Sequence, residues 1–199
     1  MNTLETSMDA ALTQERSIIR SGATVEEYID FENNTEERHE FHNGDILTMP
    51  GVHHRHAIIV ANLIGILFPQ LRGRGRIYSE MLKLNIPAFK RIVYPDVMIT
   101  LGDEEFVEND SMRLVNPIVV IEVLSESTAR YDKTDKFEYY RSLPSVQEIV
   151  FVAQHRRSVE LYRRQNGGWM LFDITDETAP ATLHLLSVEA SITLDDLYA

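Results

Sequence analysis

One short segment, residues 118–124, constrains the fold more than any other part of the sequence. It reads Ile, Val, Val, Ile, Glu, Val, Leu, so a single carboxylate interrupts an otherwise apolar run. A run of this length and β-branched composition predicts a central strand covered on both faces, because a strand with one solvated face alternates apolar and polar residues. The chain is therefore expected to place other layers of structure on both sides of a sheet.

The carboxylate in this run, Glu122, needs a partner. An unpaired buried carboxylate is costly, so it must meet a cation, a metal ion or a proton. Residues 93–99 repeat the pattern, since Asp96 interrupts a second apolar strand. If Asp96 and Glu122 face the same way, their repulsion is unfavourable unless Mg²⁺ or Mn²⁺ lies between them. A structural salt bridge or an edge position facing water is the alternative for each.

The other sequence patterns predict a mixed α/β sandwich around one sheet. Thr24 and Glu27 form a capping box, which predicts a short helix to about residue 31. Asn43-Gly44 predicts the type I′ turn of a β-hairpin. Apolar residues at helical spacing predict a long helix over residues 53–71. Further expected elements are strands over residues 76–86, 92–101, 116–124 and 148–153, a helix over residues 132–142 with Asp132 as its N-cap, and a hairpin over residues 159–174.

Composition excludes several classes of protein. The 199 residues include no cysteine, which excludes a disulfide framework and a cysteine nucleophile and is compatible with a reducing cytoplasm. No apolar run reaches the ~20 residues of a membrane span. No phosphate-binding Gly-rich loop or serine elbow is present, and the His-rich residues 53–56 lack the second ligand pair of a zinc site. Residues 1–23 are expected to form a loose polar leader before a single domain over residues 24–199.

The net charge of −12 is unevenly distributed along the chain. Residues 103–110 contain five acidic residues and no basic one, and the chain beyond Arg164 contains six acidic residues and no Lys or Arg. Local contact with an anionic polymer such as DNA is therefore compatible with the overall acidity. A solvated surface is the more ordinary interpretation of the basic residues that could contact a nucleic-acid backbone, which are Arg72, Arg74, Arg76 and Lys90.

A set of residues in a fixed order resembles the bacterial Uma family of restriction endonucleases, a branch of the PD-(D/E)XK nuclease superfamily. The resemblance covers about residues 24–198 and includes residues 38–44, the helix of His56 and residues 160–164. It implies a restriction-endonuclease-like mixed β-sheet flanked by helices, with N-terminal and C-terminal β-hairpin additions. The residues that carry it are Pro95-Asp96, Glu122 in its apolar strand, Ser127-Thr128, Asp132, Lys136 and Tyr140.

The resemblance also implies a site. In this superfamily the two acids bind a divalent metal ion, and a Lys two residues after the second acid orients or activates the attacking water. Leu124 occupies that position here, and the family pattern implies that the Lys lies on the following helix as Lys136. Lys133, one turn earlier, is the rival, and a solvated helix-face charge is the ordinary interpretation of each. The further candidate residues are Glu40, His56, Glu80, Asp132 and Tyr140.

Three of these further candidates have ordinary interpretations. Glu40 could simply pair with Arg38 or His42, which are its neighbours in the sequence. Glu80 could complete the acidic cluster or face solvent. A His on an apolar helical stripe, such as His56, is more often a core residue than a metal ligand.

The sequence is therefore compatible with two functions. The first is a metal-dependent endonuclease that hydrolyses DNA phosphodiester bonds, with Asp96 and Glu122 as ligands of Mg²⁺ or Mn²⁺ and Lys136 stabilising the transition state. The second is a catalytically inert nuclease-fold module that binds DNA or a protein partner, which Leu124 and the net acidity favour. A homodimer is also expected, with the apolar residues of the C-terminal hairpin at its interface: Leu161, Tyr162, Trp169, Leu171 and Phe172.

Overall fold

The structure, a computed structural model, describes residues 16–49, 51, 53–124, 129–177 and 181–199, and for residues 129–132 it describes the backbone alone. The expectations for residues 1–15, for Ser127 and Thr128 and for the side chain of Asp132 lie outside this description. The α-helices of the described residues are α1 (Val25–Asn33), α2 (His54–Leu71), α3 (Ala129–Arg141) and α4 (Leu194–Leu197). The strands are β1 (Ile18–Arg20), β2 (His39–His42), β3 (Asp45–Thr48), β4 (Gly75–Ser79), β5 (Lys83–Ile86), β6 (Arg91–Val93), β7 (Val97–Leu101), β8 (Phe106–Val107), β9 (Asp110–Leu114), β10 (Val119–Leu124), β11 (Glu148–Ala153), β12 (Ser158–Gln165), β13 (Gly168–Thr175), β14 (Thr182–Leu185) and β15 (Ala190–Thr193).

A six-stranded sheet in the order β13-β12-β11-β10-β7-β4 forms the centre of the molecule. Strand β10 runs parallel to β11 and antiparallel to β7, and all six of its residues are buried. Alternate residues of β10 pack on opposite sides: Val119 and Ile121 join the core of α2, whereas Val120 and Leu124 join a second core that includes Tyr140 of α3. The predicted central strand with both faces covered is confirmed.

The N-terminal half of the chain forms most of a seven-stranded sheet in the order β1-β3-β2-β6-β5-β9-β8. Its β2–β3 hairpin turns at Asn43 and Gly44, whose φ angles of 50° and 105° are the positive values that a type I′ turn requires. Helix α1 begins with the predicted capping box of Thr24 and Glu27 and packs Tyr28 against Phe41 of β2. The predicted hairpin and capping box are confirmed.

The expectation of one sheet is wrong, because the chain crosses between two large sheets within two predicted strands. Residues 92–101 divide into β6, in the seven-stranded sheet, and β7, in the six-stranded sheet. The break falls at residues 94–96, where Pro95 has no N–H to donate to a sheet ladder. Residues 76–86 divide in the same way into β4 and β5, around the turn at residues 80–82.

Helix α3 begins earlier than the sequence pattern predicts. Asp132 was expected to be its N-cap, but the helix begins at Ala129, so Asp132 lies within the first turn. An acidic residue in the first turn of a helix is favoured by the helix dipole, which is why it resembles a capping signal in the sequence. The predicted start of the helix at residue 132 is therefore wrong by three residues, while the helix itself is confirmed.

The C-terminal hairpin β12–β13 contributes most of its apolar residues to the cores of this chain rather than to its surface. Leu161 is buried, Phe172 packs against the core of α2, and Tyr162 and Trp169 pack against the core of α3. Of the five residues expected at a dimer interface, only Leu171 is exposed. The expectation that this hairpin presents an apolar surface is wrong for the other four residues, because both faces of the sheet are covered.

Part of the N-terminal segment belongs to a sheet. Residues 18–20, inside the segment expected as a leader, form β1 and pair with β3.

Among the residues that the structure describes, no helix combines the length and the apolar character needed to cross a bilayer.

Candidate metal and active site

The two predicted acids come together on adjacent strands. Strands β7 and β10 pair antiparallel, with Ile121 opposite Val97, so Asp96 and Glu122 would be the next pair in the same register. Asp96 lies just before β7, and its Oδ2 accepts a hydrogen bond from the Val123 backbone N–H at 2.7 Å. Both carboxylates are buried. Their juxtaposition follows from the strand pairing, which the sequence analysis had stated only as a condition.

Both carboxylate oxygens of Glu122 have partners on α3. Lys136 Nζ lies 2.8 Å from Oε2, and the hydroxyl of Tyr140 donates a hydrogen bond to Oε1. Lys136 and Tyr140 are separated by one helical turn, so they reach the same carboxylate from one face of the helix. Burial raises the pKa of Glu122 to about 7 against the opposing effect of Lys136, and the charge of Asp96 adds to the rise.

Lys136 is a partly buried ammonium with three carboxylates near it. Burial alone would lower its pKa, but the charges of Glu122, Asp96 and Glu40 outweigh burial and raise the pKa above its ordinary value. Lys136 is therefore protonated at neutral pH. The rival, Lys133, reaches a different carboxylate, since its Nζ lies 2.7 and 2.8 Å from the two oxygens of Glu160 on β12.

His56 and Glu80 approach Asp96 from the other side. One ligand atom each from His56, Glu80 and Asp96 lies within 4.8 Å of the other two. His56 Nε2 is buried and lies 3.1 Å from Asp96 Oδ1, but it forms no hydrogen bond of acceptable geometry within the described residues. Burial acts to lower the pKa of His56, and the carboxylates of Asp96, Glu122 and Glu80 raise it instead. An unpartnered imidazole nitrogen beside two carboxylates fits a divalent cation.

Glu40 lies behind Lys136, on β2 of the other large sheet. It pairs with His42 at 2.9 Å and with Arg16 at 3.3 Å, not with Arg38. Burial alone would raise the pKa of Glu40, but Arg16 and His42 outweigh burial and lower the pKa to about 2. Glu40 thus adds negative charge near Lys136.

The sequence interpretation missed two cations at the site. Arg16 pairs with Glu40, and no sequence motif marks it, since it precedes every predicted element. Arg38 donates from Nη1 to the backbone carbonyl of Glu80 at 2.5 Å, and its Nη2 lies 3.5 Å from Glu80 Oε1. For Arg38, the sequence feature that could have indicated a place at the site is its position two residues before Glu40.

The predicted DNA-contact residues lie apart from this site. His56 is in the first turn of α2 and Arg72 follows its last residue, a separation of ~24 Å along the helix axis at 1.5 Å per residue. Arg74 pairs with Glu189, and Arg76 pairs with Glu104. Lys90 lines a cavity of about 440 Å³ on the side of the seven-stranded sheet that carries α1. The structure therefore does not bring these four residues to the carboxylates.

Comparisons with known proteins agree with this architecture. Residues 25–195 match the model of the Uma2 family, whose description is "Putative restriction endonuclease". "Uncharacterized protein sll1609" from Synechocystis sp. is 30% identical over 167 residues, which cover 83% of this chain and 94% of that protein. "Uncharacterized protein slr1290" from the same organism is 29% identical over 175 residues, which cover 87% of this chain and 90% of that protein.

One solved structure shares the fold. A crystal structure described as "a putative nuclease belonging to DUF820", from Anabaena variabilis, matches with a TM-score of 0.68 and 19% identity, covering 88% of this chain and 97% of that chain. The predicted nuclease-like α/β class is confirmed at the level of the fold. Because the family model matches most of the chain, the protein belongs to the Uma2 family of restriction-endonuclease-like proteins.

Proposed function

We propose that this protein is a divalent-metal-dependent endonuclease that hydrolyses phosphodiester bonds in DNA. The observation that carries the proposal is the contact of 2.8 Å between Lys136 Nζ and Glu122 Oε2, beside Asp96. A Lys that reaches the site from α3 compensates for Leu124, which occupies the strand position where the superfamily carries its Lys. Membership of the family supports the nuclease class.

Each side chain of the candidate site would have a separate role in such a reaction. Asp96 and Glu122 are the proposed ligands of Mg²⁺ or Mn²⁺, and Tyr140 holds Glu122 in place through its hydroxyl. A divalent cation would supply positive charge against the negative charge that develops on the phosphate. Lys136, whose ammonium lies 2.8 Å from Glu122, stabilises the same charge and donates a hydrogen bond that orients the attacking water.

The DNA backbone would extend well beyond these residues. Arg72 and Lys90 are exposed, and neither has an ion-pair partner within the described part of the chain. The ~24 Å from the first turn of α2 to its end corresponds to ~7 base pairs of DNA at ~3.4 Å per pair. Phosphate contacts at that distance would position a duplex without reading its sequence.

A catalytically inert nuclease fold that binds DNA or a protein partner is the second candidate. One observation favours it: Lys136 and Tyr140 already satisfy both oxygens of Glu122. A carboxylate with two strong partners is stable without a metal ion, so this half of the site does not by itself require catalysis.

Cleavage of supercoiled plasmid DNA distinguishes the two candidates. The proposed endonuclease converts the plasmid to nicked and linear forms in Mg²⁺ or Mn²⁺ and not in EDTA. Inactivity with both ions on plasmid, linear duplex and single-stranded substrates, together with measurable DNA binding in a mobility-shift assay, would exclude catalysis and support the inert module.

We also propose that the protein is a homodimer, because two-fold symmetry suits the cleavage of both DNA strands. We further propose that it acts in the cytoplasm. Leu171 and Met170 are exposed on β13, which is at the edge of its sheet. Sedimentation velocity at micromolar concentration tests the dimer. A single species near the 22.9 kDa of one chain would contradict it.

A further inference from the structure

We infer that the metal centre of this protein is a mixed imidazole and carboxylate site formed by His56, Glu80 and Asp96, and that His56 makes it prefer a first-row transition-metal cation such as Mn²⁺ over Mg²⁺. The inference deepens the proposed function and rests on it. It adds two ligands to the acidic pair and assigns the choice of metal to one residue.

The first support is the position of His56 relative to Asp96. The imidazole Nε2 is buried without a hydrogen-bond partner among the described residues, although Asp96 Oδ1 is only 3.1 Å away. Two adjacent ligands of an octahedral ion stand ~3.0 Å apart, since each lies ~2.1 Å from the metal at ~90°. The separation of 3.1 Å, which is also an ion-pair distance when His56 is protonated, therefore fits two ligands of a shared cation.

The second support is the charge balance of Asp96. Within the described residues its side chain has no ion pair with a Lys or an Arg, and its near neighbours are the Val123 N–H and His56. When His56 is neutral, the Val123 N–H is the one hydrogen-bond donor to Asp96 within the described residues, and a buried carboxylate in that state is poorly compensated. A divalent cation bound to Oδ1 supplies the missing charge and uses the free nitrogen of His56.

The third support is Glu80, which the chain holds in position. Arg38 binds both the backbone carbonyl and the carboxylate of Glu80, at 2.5 and 3.5 Å. The side chain of Glu80 is partly exposed, so without this contact it could turn toward solvent. Arg38 thus orients an acid that lies in the turn between β4 and β5, close to His56 and Asp96.

The donor set determines the metal. Mg²⁺ is a hard ion that takes oxygen ligands and loses its water reluctantly, whereas imidazole nitrogen binds first-row transition metals more strongly. Glu122, the other proposed ligand, offers only oxygen, and each of its oxygens keeps a lone pair beside its contact with Lys136 or Tyr140. One nitrogen ligand together with carboxylates therefore favours a transition-metal cation over Mg²⁺.

The test uses metal binding rather than cleavage. Isothermal titration of the metal-free protein with MnCl₂ and separately with MgCl₂ is expected to give a Kd for Mn²⁺ at least tenfold lower. Pulsed electron paramagnetic resonance of the Mn²⁺ complex is expected to show coupling to ¹⁴N of the imidazole. Replacement of His56 by Ala should weaken Mn²⁺ binding at least tenfold and remove the coupling, while His56→Asp should bring the two Kd values closer together.

His54 is the matched control, because it lies in the same helical turn as His56 and is exposed. His54→Ala should change neither Kd nor the ¹⁴N coupling. Equal affinity for the two ions in the wild-type protein, or Mn²⁺ bound without ¹⁴N coupling, overturns the inference. If the His56 variants fail to fold, as judged by circular dichroism, these two wild-type measurements still decide.

The outcome separates this inference from the proposed function. Mn²⁺ bound through His56 by a protein that cleaves no DNA supports the metal site and excludes the nuclease. Cleavage that runs equally with Mg²⁺, by a Mn²⁺ complex without ¹⁴N coupling, supports the nuclease and excludes the imidazole site.

Discussion

Two buried glutamates in adjacent strands of the six-stranded sheet, Glu148 and Glu122, differ in how their charges are satisfied. Glu148 begins β11 and accepts four hydrogen bonds. The donors are the Arg163 Nε at 2.8 Å, the backbone N–H of Leu186 at 3.2 Å, and the backbone N–H and hydroxyl of Ser187 at 3.0 and 2.5 Å. These donors lie on β12 and in the turn after β14, so Glu148 fastens the turn between β14 and β15 to the six-stranded sheet.

Glu122 lies on the opposite face of the sheet and is less completely satisfied. It has one cation and one hydroxyl as partners, and no backbone N–H of the described residues donates to it. The negative charge of Asp96 lies beside it and contributes to its raised pKa. Beyond Asp96 lies an imidazole nitrogen without a hydrogen-bond partner in the described residues.

The difference shows that burial alone does not distinguish an acid with all its hydrogen-bonding capacity used from one that can still take a ligand. A carboxylate that backbone N–H groups and an Arg saturate has no capacity left for a ligand. A carboxylate beside a second acid and an unpartnered imidazole leaves that capacity open. The count of donors around each acid, rather than its exposure, therefore separates the two glutamates.

The largest expected effect is on stability, at the structural glutamate. Glu148→Gln leaves the Arg163 guanidinium without its carboxylate in a largely buried place, which should lower the free energy of unfolding by about 3 to 5 kcal/mol. Urea denaturation followed by the fluorescence of Trp169 measures this loss. A loss below about 1 kcal/mol would mean that the four donors are not what holds the turn after β14 to the sheet.

The next effect is on cleavage, and it compares two Lys residues of α3. Lys136→Met should reduce the rate of plasmid cleavage by about 10² to 10³, or roughly 2.7 to 4 kcal/mol of barrier, because it removes the charge beside Glu122. Lys133→Met removes the pair with Glu160 and should stay within about tenfold, or roughly 1.4 kcal/mol. Reversed effects would transfer the catalytic role to Lys133.

The sequence predicted the acids better than it predicted their partners. A lone carboxylate in an apolar strand is visible in any sequence, and so Asp96 and Glu122 could be paired before the fold was known. Which Lys reaches Glu122 depends on how α3 lies across the sheet, and two Lys residues one turn apart are equivalent in the sequence. Arg16 could not be predicted, because its partner Glu40 is distant in the chain.

The division into two sheets was also beyond the sequence pattern. Residues 76–86 and 92–101 each have the composition of one strand, and apolar alternation does not say which neighbour a strand pairs with. Pro95 is visible in the sequence, but only the pairing of β6 with β5 and of β7 with β10 shows that it separates two sheets. The same break places Asp96 outside β7, where its side chain reaches both Val123 and His56.

A smaller effect, on the stability gained from Mn²⁺, directly tests the comparison between the site of Asp96 and Glu122 and the site of Glu148. Wild-type protein should gain RT ln(1 + [L]/Kd) in stability from Mn²⁺, about 2.7 kcal/mol at a hundred times the dissociation constant. The gain should vanish in Asp96→Asn and persist in Glu148→Gln, although the second variant is the less stable in EDTA. Thermal melts with Mn²⁺ and with EDTA measure it. A gain that survives in Asp96→Asn would place the ion elsewhere.

The smallest expected effect is a change in the stability of the metal-free protein, and the sign of that change is the test. Asp96→Asn removes the repulsion between Asp96 and Glu122, while the new amide oxygen can still accept the hydrogen bond from the Val123 N–H. In EDTA at pH 9, where less of His56 is protonated than at neutral pH, the variant should therefore be more stable than wild type, by about 1 kcal/mol. The matched control is Glu160→Gln, which loses only a partly exposed pair with Lys133 and should be destabilised by about 0 to 1 kcal/mol. Melting curves of the three proteins give the signs. A loss of about 3 to 5 kcal/mol in Asp96→Asn would make Asp96 a structural acid like Glu148, because only a carboxylate that neutralises a buried cation is so costly to replace.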